Sequence, residues 1–439
     1  AATAAAAVAP VVAKETPGAV TRITFHIPPY HEYDCRDEKR PVTGYTGAKT
    51  CGDLSPLPNP LPSPLSYCGP PFKSYATHYY YFAHAMLLQQ QLEERTGVKM
   101  VPVEDPFSAD VVFCRADASA QLRDEVLRSQ LARRPLLVLV EDHDAGTMVA
   151  PLQVLQDETT IAALKHYAWK GYGGMCAQHW GKPMYRHVEL MRLLEEGLRL
   201  PPGPLGAAEA ARLVEGAGCE AWPADVRRKF MVATPHWLTV RRGSIFPPYK
   251  HIEPIQKRPV DIAFSGTLNY SAFGESEPWQ QLVSRYREGF LRKLQNVCKG
   301  HNWKVEFFTT AVKKQKFFEL LRRTKIFVSP WGLGEWSGKD EEAILSGAVL
   351  LKPGAGIFES GIPMYEPGST CLDARPDGED LEAVLSAALA KSNLPVLQKM
   401  QAHAHEVQHA YVSYGRAVKH PDVLQHWAEL VHRAQDVLR

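Results

Sequence analysis

The sequence predicts an α/β protein in two halves, each a parallel β-sheet covered by helices. Three observations carry this. Short apolar runs alternate with longer amphipathic stretches, the pattern of strand–helix–strand units. The alternation lapses through a Pro/Gly-rich break near 201–206 and a connecting region, then resumes at residue 260. The 439 residues also exceed what a single hydrophobic core usually organises.

In chain order, residues 1–20 are mostly Ala, Pro, Thr and Val and read as a disordered stalk or tail. Ile23 to Ile27 is a strand that ends at Pro28-Pro29. Residues 30–76 are irregular, with prolines too frequent for helix. A helix over 78–96 closes at Gly97, and strands follow at Val98–Val103 and Ala109–Cys114. A charged helix over 118–132 leads to the apolar strand Leu136–Val140, which runs into Glu141-Asp142-His143-Asp144, and further helices follow.

The second half opens with the strand Val260–Phe264 and the turn Ser265-Gly266-Thr267. Trp279, Val283, Tyr286, Phe290 and Leu294 recur at helical spacing, so 278–297 is an amphipathic helix. Next come a strand (Lys304–Phe308), a helix (314–324), a strand (Ile326–Ser329) and a glycine-rich loop into a short helix ending at Gly347. Ala348–Leu351 and Thr370–Asp373 are further strands, and helices fill the tail. The division is thus a stalk (1–20), a Rossmann-like half (21–255) and a second Rossmann-like half with a helical tail (256–439).

The bulk numbers narrow the function. A net charge of +2, from 50 basic and 48 acidic residues, gives no field for nucleic acid or an anionic membrane. No apolar run is long enough to span a bilayer; because the chain begins with Ala, an N-terminal anchor lost by processing is the one membrane connection expected. None of the eight cysteines forms a C-x-x-C pair, which removes zinc-ribbon and thioredoxin-like readings. Cys114 reads as a buried thiol, whereas Cys35, Cys51 and Cys68 lie where bridges would form in a secretory compartment. Asn269-Tyr-Ser271 is a formal glycosylation sequon.

The segment from Ile326 to Pro353 carries the chemistry. A buried strand ends, and Trp331, Gly332, Gly334, Glu335 and Trp336 form a close turn. Ser337 stands as an N-cap with an acid, Asp340, three residues on. Free N–H groups at that helix start, with the helix dipole, favour an anion such as a diphosphate. Lys339 adds a charge in the first turn, and Glu342, a turn later, can accept from ribose hydroxyls. In an open α/β sheet such a loop lies where ligands bind, beyond the strand C-termini. The plain alternative is a helix-capping turn. A dinucleotide site fits less well: Gly332, Gly334 and Gly338 fall as G-x-G-x-x-x-G, and the next strand ends in Lys352 rather than an acid.

The stretch 326–353 resembles the donor-site segment of glycosyltransferases of the GT-B architecture, exostosin-like members and related families among them. Trp336-Ser337-Gly338-Lys339 is similar to a motif of protein O-glucosyltransferases. Asp105-Pro106 with Ala109-Asp110 resembles a segment in the N-terminal half of exostosin-like enzymes, and Arg258 to Thr267 resembles the first strand and phosphate-side turn of the C-terminal half. The resemblance implies transfer of a sugar from a UDP- or GDP-sugar to a hydroxyl on a glycan or glycoprotein, with no bound metal or other cofactor. It implies that Gly266, Thr267, Trp331, Gly332, Gly334, Ser337, Gly338 and Lys339 surround the donor, Glu342 the ribose, and Glu335 the sugar or its leaving phosphate. It departs from the family in one spacing: Glu335 and Glu342 are seven apart, so the longer Glu-x7-Glu of many retaining members is absent.

An inverting reaction needs a base for the acceptor hydroxyl. Asp142 and His143, at the end of an apolar strand, are the best-placed candidates, against a plain acidic loop; His78 and His84 read as helix-face residues. Two alternatives of other classes stand beside the transferase. His405-Glu406-Val-Gln-His409 matches the H-E-x-x-H zinc-hydrolase pattern, with Glu429 as third ligand. A non-catalytic sugar-nucleotide-binding subunit is the other, since fold does not fix function. The stalk, the cysteine segment and the sequon point to the Golgi lumen or secretory pathway, with a cytoplasmic enzyme as the rival.

Overall fold

The computed structural model describes residues 22–26, 89–103, 106–115, 124, 134–141, 152–165, 167–170, 176–179, 182–215, 219, 222–232, 252–270, 277–310, 312–412 and 421–439. Asp142, His143, His78, His84 and the segment with Cys35, Cys51 and Cys68 lie outside these residues.

Strands of the first half are β1 (Arg22–His26), β2 (Lys99–Pro102), β3 (Val111–Arg115), β4 (Leu136–Glu141), β5 (Thr160–Lys165), β6 (Tyr167–Trp169), β7 (Cys176–His179), β8 (Lys182–Met184) and β9 (Phe230–Val232). Its helices are α1 (Gln89–Thr96), α2 (Leu152–Gln156), α3 (Arg186–Glu195), α4 (Ala207–Glu215) and α5 (Ala224–Lys229). Six strands form one parallel sheet in the order β2-β1-β3-β4-β5-β9. Leu136 to Val140 are all buried, because helices cover both faces of a parallel sheet. Leu137 and Leu139 face one side with Val112, Val154 and Val226. Val138 and Val140 face the other with Phe25, Phe113 and Leu164.

The second half contains β10 (Val260–Ser265), β11 (Val305–Phe308), β12 (Thr324–Val328), β13 (Val349–Pro353), β14 (Phe358–Ser360) and β15 (Cys371–Ala374). Its helices are α6 (Pro278–Lys299), α7 (Lys314–Arg323), α8 (Gly338–Leu345), α9 (Leu381–Leu389), α10 (Leu394–Val412) and α11 (Pro421–Leu438). The sheet order is β11-β10-β12-β13-β15, again all parallel. When only the strands of each main sheet are numbered in chain order, both sheets begin with the order 2-1-3-4-5. The two halves therefore repeat one topology, although the sequence shows no internal repeat. In this order the chain reverses direction between the first and third strands, here β10 and β12, and a crevice opens at their C-terminal ends.

Helix α6 is well specified locally. Glu277 and Gln280 form a reciprocal capping box, and Pro278 occupies the first turn, where its missing N–H costs nothing. Phe290, Leu291 and Leu294 of its apolar stripe pack on the sheet against Ile262 and Phe264.

Two expectations are corrected. The region after β4, read as helices, contains the sheet strand β5; Thr-Ile-Ala-Ala-Leu-Lys is buried on both faces, and such a short apolar run has no distinguishing period. The helical tail is not wholly part of the second half. Helix α11 crosses back to pack on α1 and β5, with Trp427 against Phe113 at 5.7 Å between ring centroids. The halves are also stitched together: β14 pairs antiparallel with β6, setting Phe358 opposite Trp169 and Ser360 opposite Tyr167. Among the described residues no helix is long and apolar enough to cross a membrane.

Candidate anion site at the strand crossover

The crevice between β10 and β12 gathers charge. Gly266 follows β10, and its N–H is held by the Phe308 carbonyl at 3.0 Å. A β-carbon on Gly266 would lie 2.5 Å from Nη2 of Arg287 and 3.5 Å from Nζ of Lys339. One on Gly332 would lie 2.8 Å from the Tyr270 hydroxyl and 3.6 Å from Nη1 of Arg287. Only glycine leaves room for these groups to meet. Four segments thus converge: the turn after β10, the loop after β12, α6 and the first turn of α8.

Arg287 is buried, yet three carbonyls hold its guanidinium and no carboxylate is among these partners. Nε donates to Thr267 at 3.0 Å, and Nη1 donates to Pro330 at 2.9 Å and Trp331 at 2.8 Å. It lies over the rings of Phe264 and Tyr270, 5.6 and 5.8 Å from their centroids. Lys339 donates to the Ser265 carbonyl at 3.1 Å. Burial pushes its ammonium down to about 8, and the nearby positive charges of Arg287 and Lys314 push the same way, against Glu342 and Asp340. Lys314, from the start of α7, donates to the buried carboxylate of Glu342. A buried guanidinium and a half-buried ammonium side by side repel, and an anion seated between them relieves both.

The helix start behaves differently from its sequence reading. Ser337 is the N-cap, with extended backbone, and its hydroxyl accepts from the Lys339 N–H at 3.3 Å. The Asp340 N–H goes to the Ser337 carbonyl at 2.8 Å. Two of the donors expected to face an anion are thus used within the turn, and the positive charge comes from side chains. Asp340 does not complete a capping box. It is fully buried and accepts from Lys352 at 2.9 Å, Tyr365 at 2.7 Å and the Ser329 hydroxyl, tying α8 to the ends of β12 and β13.

The structure brings Gly266, Thr267, Gly332 and Lys339 together, with Gly338 opening α8 and Glu342 one turn on. Trp331 is placed otherwise. Its ring is fully buried, stacks on Tyr286 at 5.9 Å and donates to the Pro353 carbonyl at 2.8 Å, so only its backbone carbonyl takes part. Gly334 is buried, and its carbonyl accepts the Gly332 N–H at 2.9 Å. Glu335, read as facing a sugar, is also fully buried. Its carboxylate accepts from Trp169 Nε1 at 2.6 Å and lies 3.3 Å from His187 Nδ1, both in the first half. Arg287 escaped the sequence reading. Its signal is a cation at the buried face of α6, four residues after Val283 and three before Phe290.

The zinc reading does not gather ligands. His405 and His409 stack on one face of α10, 5.7 Å apart, but Glu429 is paired with Arg433 at 2.5 Å. Among the described residues no three His, Cys, Asp or Glu side chains converge to hold a metal. Cys114 is the buried free thiol expected. Cys219, by contrast, is disulfide-bonded.

No family model matches the chain, and no curated protein matches it. Among solved structures it is similar to a UDP-forming α,α-trehalose-phosphate synthase from Burkholderia xenovorans, at 10% identity over 81% of this chain and 78% of that one, with a TM-score of 0.34. It is similar to a sucrose-phosphate synthase from Thermosynechococcus elongatus, at 12% identity over 74% and 73%, with a TM-score of 0.34. A pneumococcal O-GlcNAc transferase in complex with UDP and GlcNAc matches at 11% identity over 72% and 60%, with a TM-score of 0.30. Likeness this loose does not bear on function.

Proposed function

We propose that the chain is a glycosyltransferase of the GT-B architecture, taking a sugar from a nucleoside diphosphate to a hydroxyl on a glycan or glycoprotein. The observation that carries this is the pairing of Arg287 and Lys339 against Gly266 at the β10/β12 crossover. A diphosphate matches the site in charge and in position, since ligands of open α/β sheets sit at the crossover. The two glycines leave room for the phosphates to reach both cations. Glu342 lies one turn deeper, where a ribose attached to that diphosphate would reach it. Developing charge on the leaving diphosphate is what two preorganised cations stabilise. The residues supply this charge themselves, which fits a reaction run without a metal. The disulfide at Cys219 supports a secretory, Golgi-type setting, where such bonds persist.

Thermal unfolding with UDP, GDP, CMP, NAD and Zn²⁺, each with and without EDTA, tests the reading. UDP or GDP at about a hundred times its dissociation constant should stabilise by about 2.7 kcal/mol, EDTA or not. No nucleoside diphosphate shift would sink the donor site. Zinc-dependent stability in its place would return attention to His405 and His409.

A further inference from the structure

Glu335 belongs to the loop after β12, but the first half holds its carboxylate. Trp169 donates from Nε1 at 2.6 Å, His187 Nδ1 stands 3.3 Å away, and the Tyr167 hydroxyl is 3.4 Å away. Glu335, Tyr167, Trp169 and His187 are each no more than 1% exposed. The β6–β14 pairing fixes Tyr167 and Trp169 where they meet it. A carboxylate sealed from water in this way depends on its donors, because without them its charge is strongly disfavoured. Glu335 directly follows Gly334, whose carbonyl closes the turn on the Gly332 N–H. Just before that turn come the Pro330 and Trp331 carbonyls that hold Arg287. From Trp169 to the guanidinium there is therefore an unbroken chain of short contacts.

We infer that Glu335 is a positioning residue that ties the anion-binding loop to the first half, so that the site takes its shape only when the two halves are docked. This rests on the nucleotide reading above and adds to it: residues that cannot touch the donor govern donor affinity. Glu335 acts through the Gly332–Gly334 turn and Arg287, not on the sugar.

The test is calorimetric titration of the full chain with UDP, and with GDP in parallel, in Trp169→Phe, Glu335→Gln and the double variant. Each single change should weaken the nucleotide about tenfold with the stoichiometry unchanged, as expected for groups sharing one hydrogen-bond network. The double variant should be no weaker than the worse single, because both changes cut the same link. Loss of folded protein would instead lower the stoichiometry and leave the dissociation constant alone. That result, an unaltered affinity, or additive losses would overturn the inference. If the unaltered protein binds neither nucleotide, the donor reading fails by itself. Amide hydrogen exchange then decides the positioning role: 332–339 should exchange faster in both single variants while 381–389 keeps its rate. Equal protection of 332–339 in all forms would refute it.

Discussion

Raising the pH from 7 toward 9 should weaken binding of a nucleoside diphosphate in a range where its phosphates no longer titrate. The cause is Lys339, whose ammonium in the free protein is held down to about 8 by burial and by Arg287. A bound diphosphate favours the charged form and returns the group toward its ordinary value near 10.4. Between those limits binding takes up a proton, so affinity should fall about tenfold per pH unit. At pH 7 about nine-tenths of the free protein carries the charge; at pH 9 only about 9% does, which predicts about tenfold weaker binding than at pH 7. Terminal phosphates titrate near 6, well below this window. Calorimetry in two buffers of unlike ionisation enthalpy should show uptake of about half a proton at pH 8. A dissociation constant that stays flat from pH 7 to 9, or net proton release at pH 8, would refute the placement of Lys339 beside the phosphates. The same shift has a stability consequence. Between about 8 and 10.5 the unfolded chain binds the proton that the folded protein has lost, so unliganded stability rises with pH there; below 8 the full cost of burying the charge is present. At pH 7 Lys339→Met should therefore stabilise the free protein by about 1–3 kcal/mol while abolishing nucleotide binding.

Two further substitutions separate site from scaffold. Gly266→Ala places a methyl 2.5 Å from Arg287 Nη2, so nucleotide affinity should fall by about tenfold or more, measured by titration, with a stability loss of about 1–3 kcal/mol. Asp340→Asn leaves the fully buried Lys352 without its counter-charge. Urea unfolding should show a loss of about 3–5 kcal/mol, and a loss below about 1 kcal/mol would mean that Lys352 finds another partner.

Much of the second half is legible in the sequence because its elements are long, strongly periodic and locally capped. The stripe of Val283, Phe290 and Leu294 places α6 almost to the residue, and Ser337 marks the start of α8. The first half is less legible. Residues 160–165 have no polar alternation, because both faces of a parallel sheet are covered, and a run of that kind carries no period to read. Residue type and order pointed to Gly266, Gly332 and Lys339 as one group, and the structure brings them together at the crossover. That the helix N–H groups are partly consumed by Ser337 depends on side-chain geometry that no local pattern encodes.

By itself the sequence determined two α/β halves, the strand β10 of the second sheet, and the glycine-rich loop that leads to Lys339. These follow from local rules: strand and helix periods, caps, and the turns that glycine permits. The tertiary structure alone decided which residues meet. Arg287 lies fifty-two residues before Lys339 in the chain, and only the packing of α6 on the sheet brings both to Gly266. Glu335 has the residue type and position of a group facing a ligand, but the docking of the halves turned its carboxylate to Trp169 and His187. The physical reason is the same in each case. A buried charge is directed by the partners that three-dimensional packing supplies, and those partners are far away along the chain.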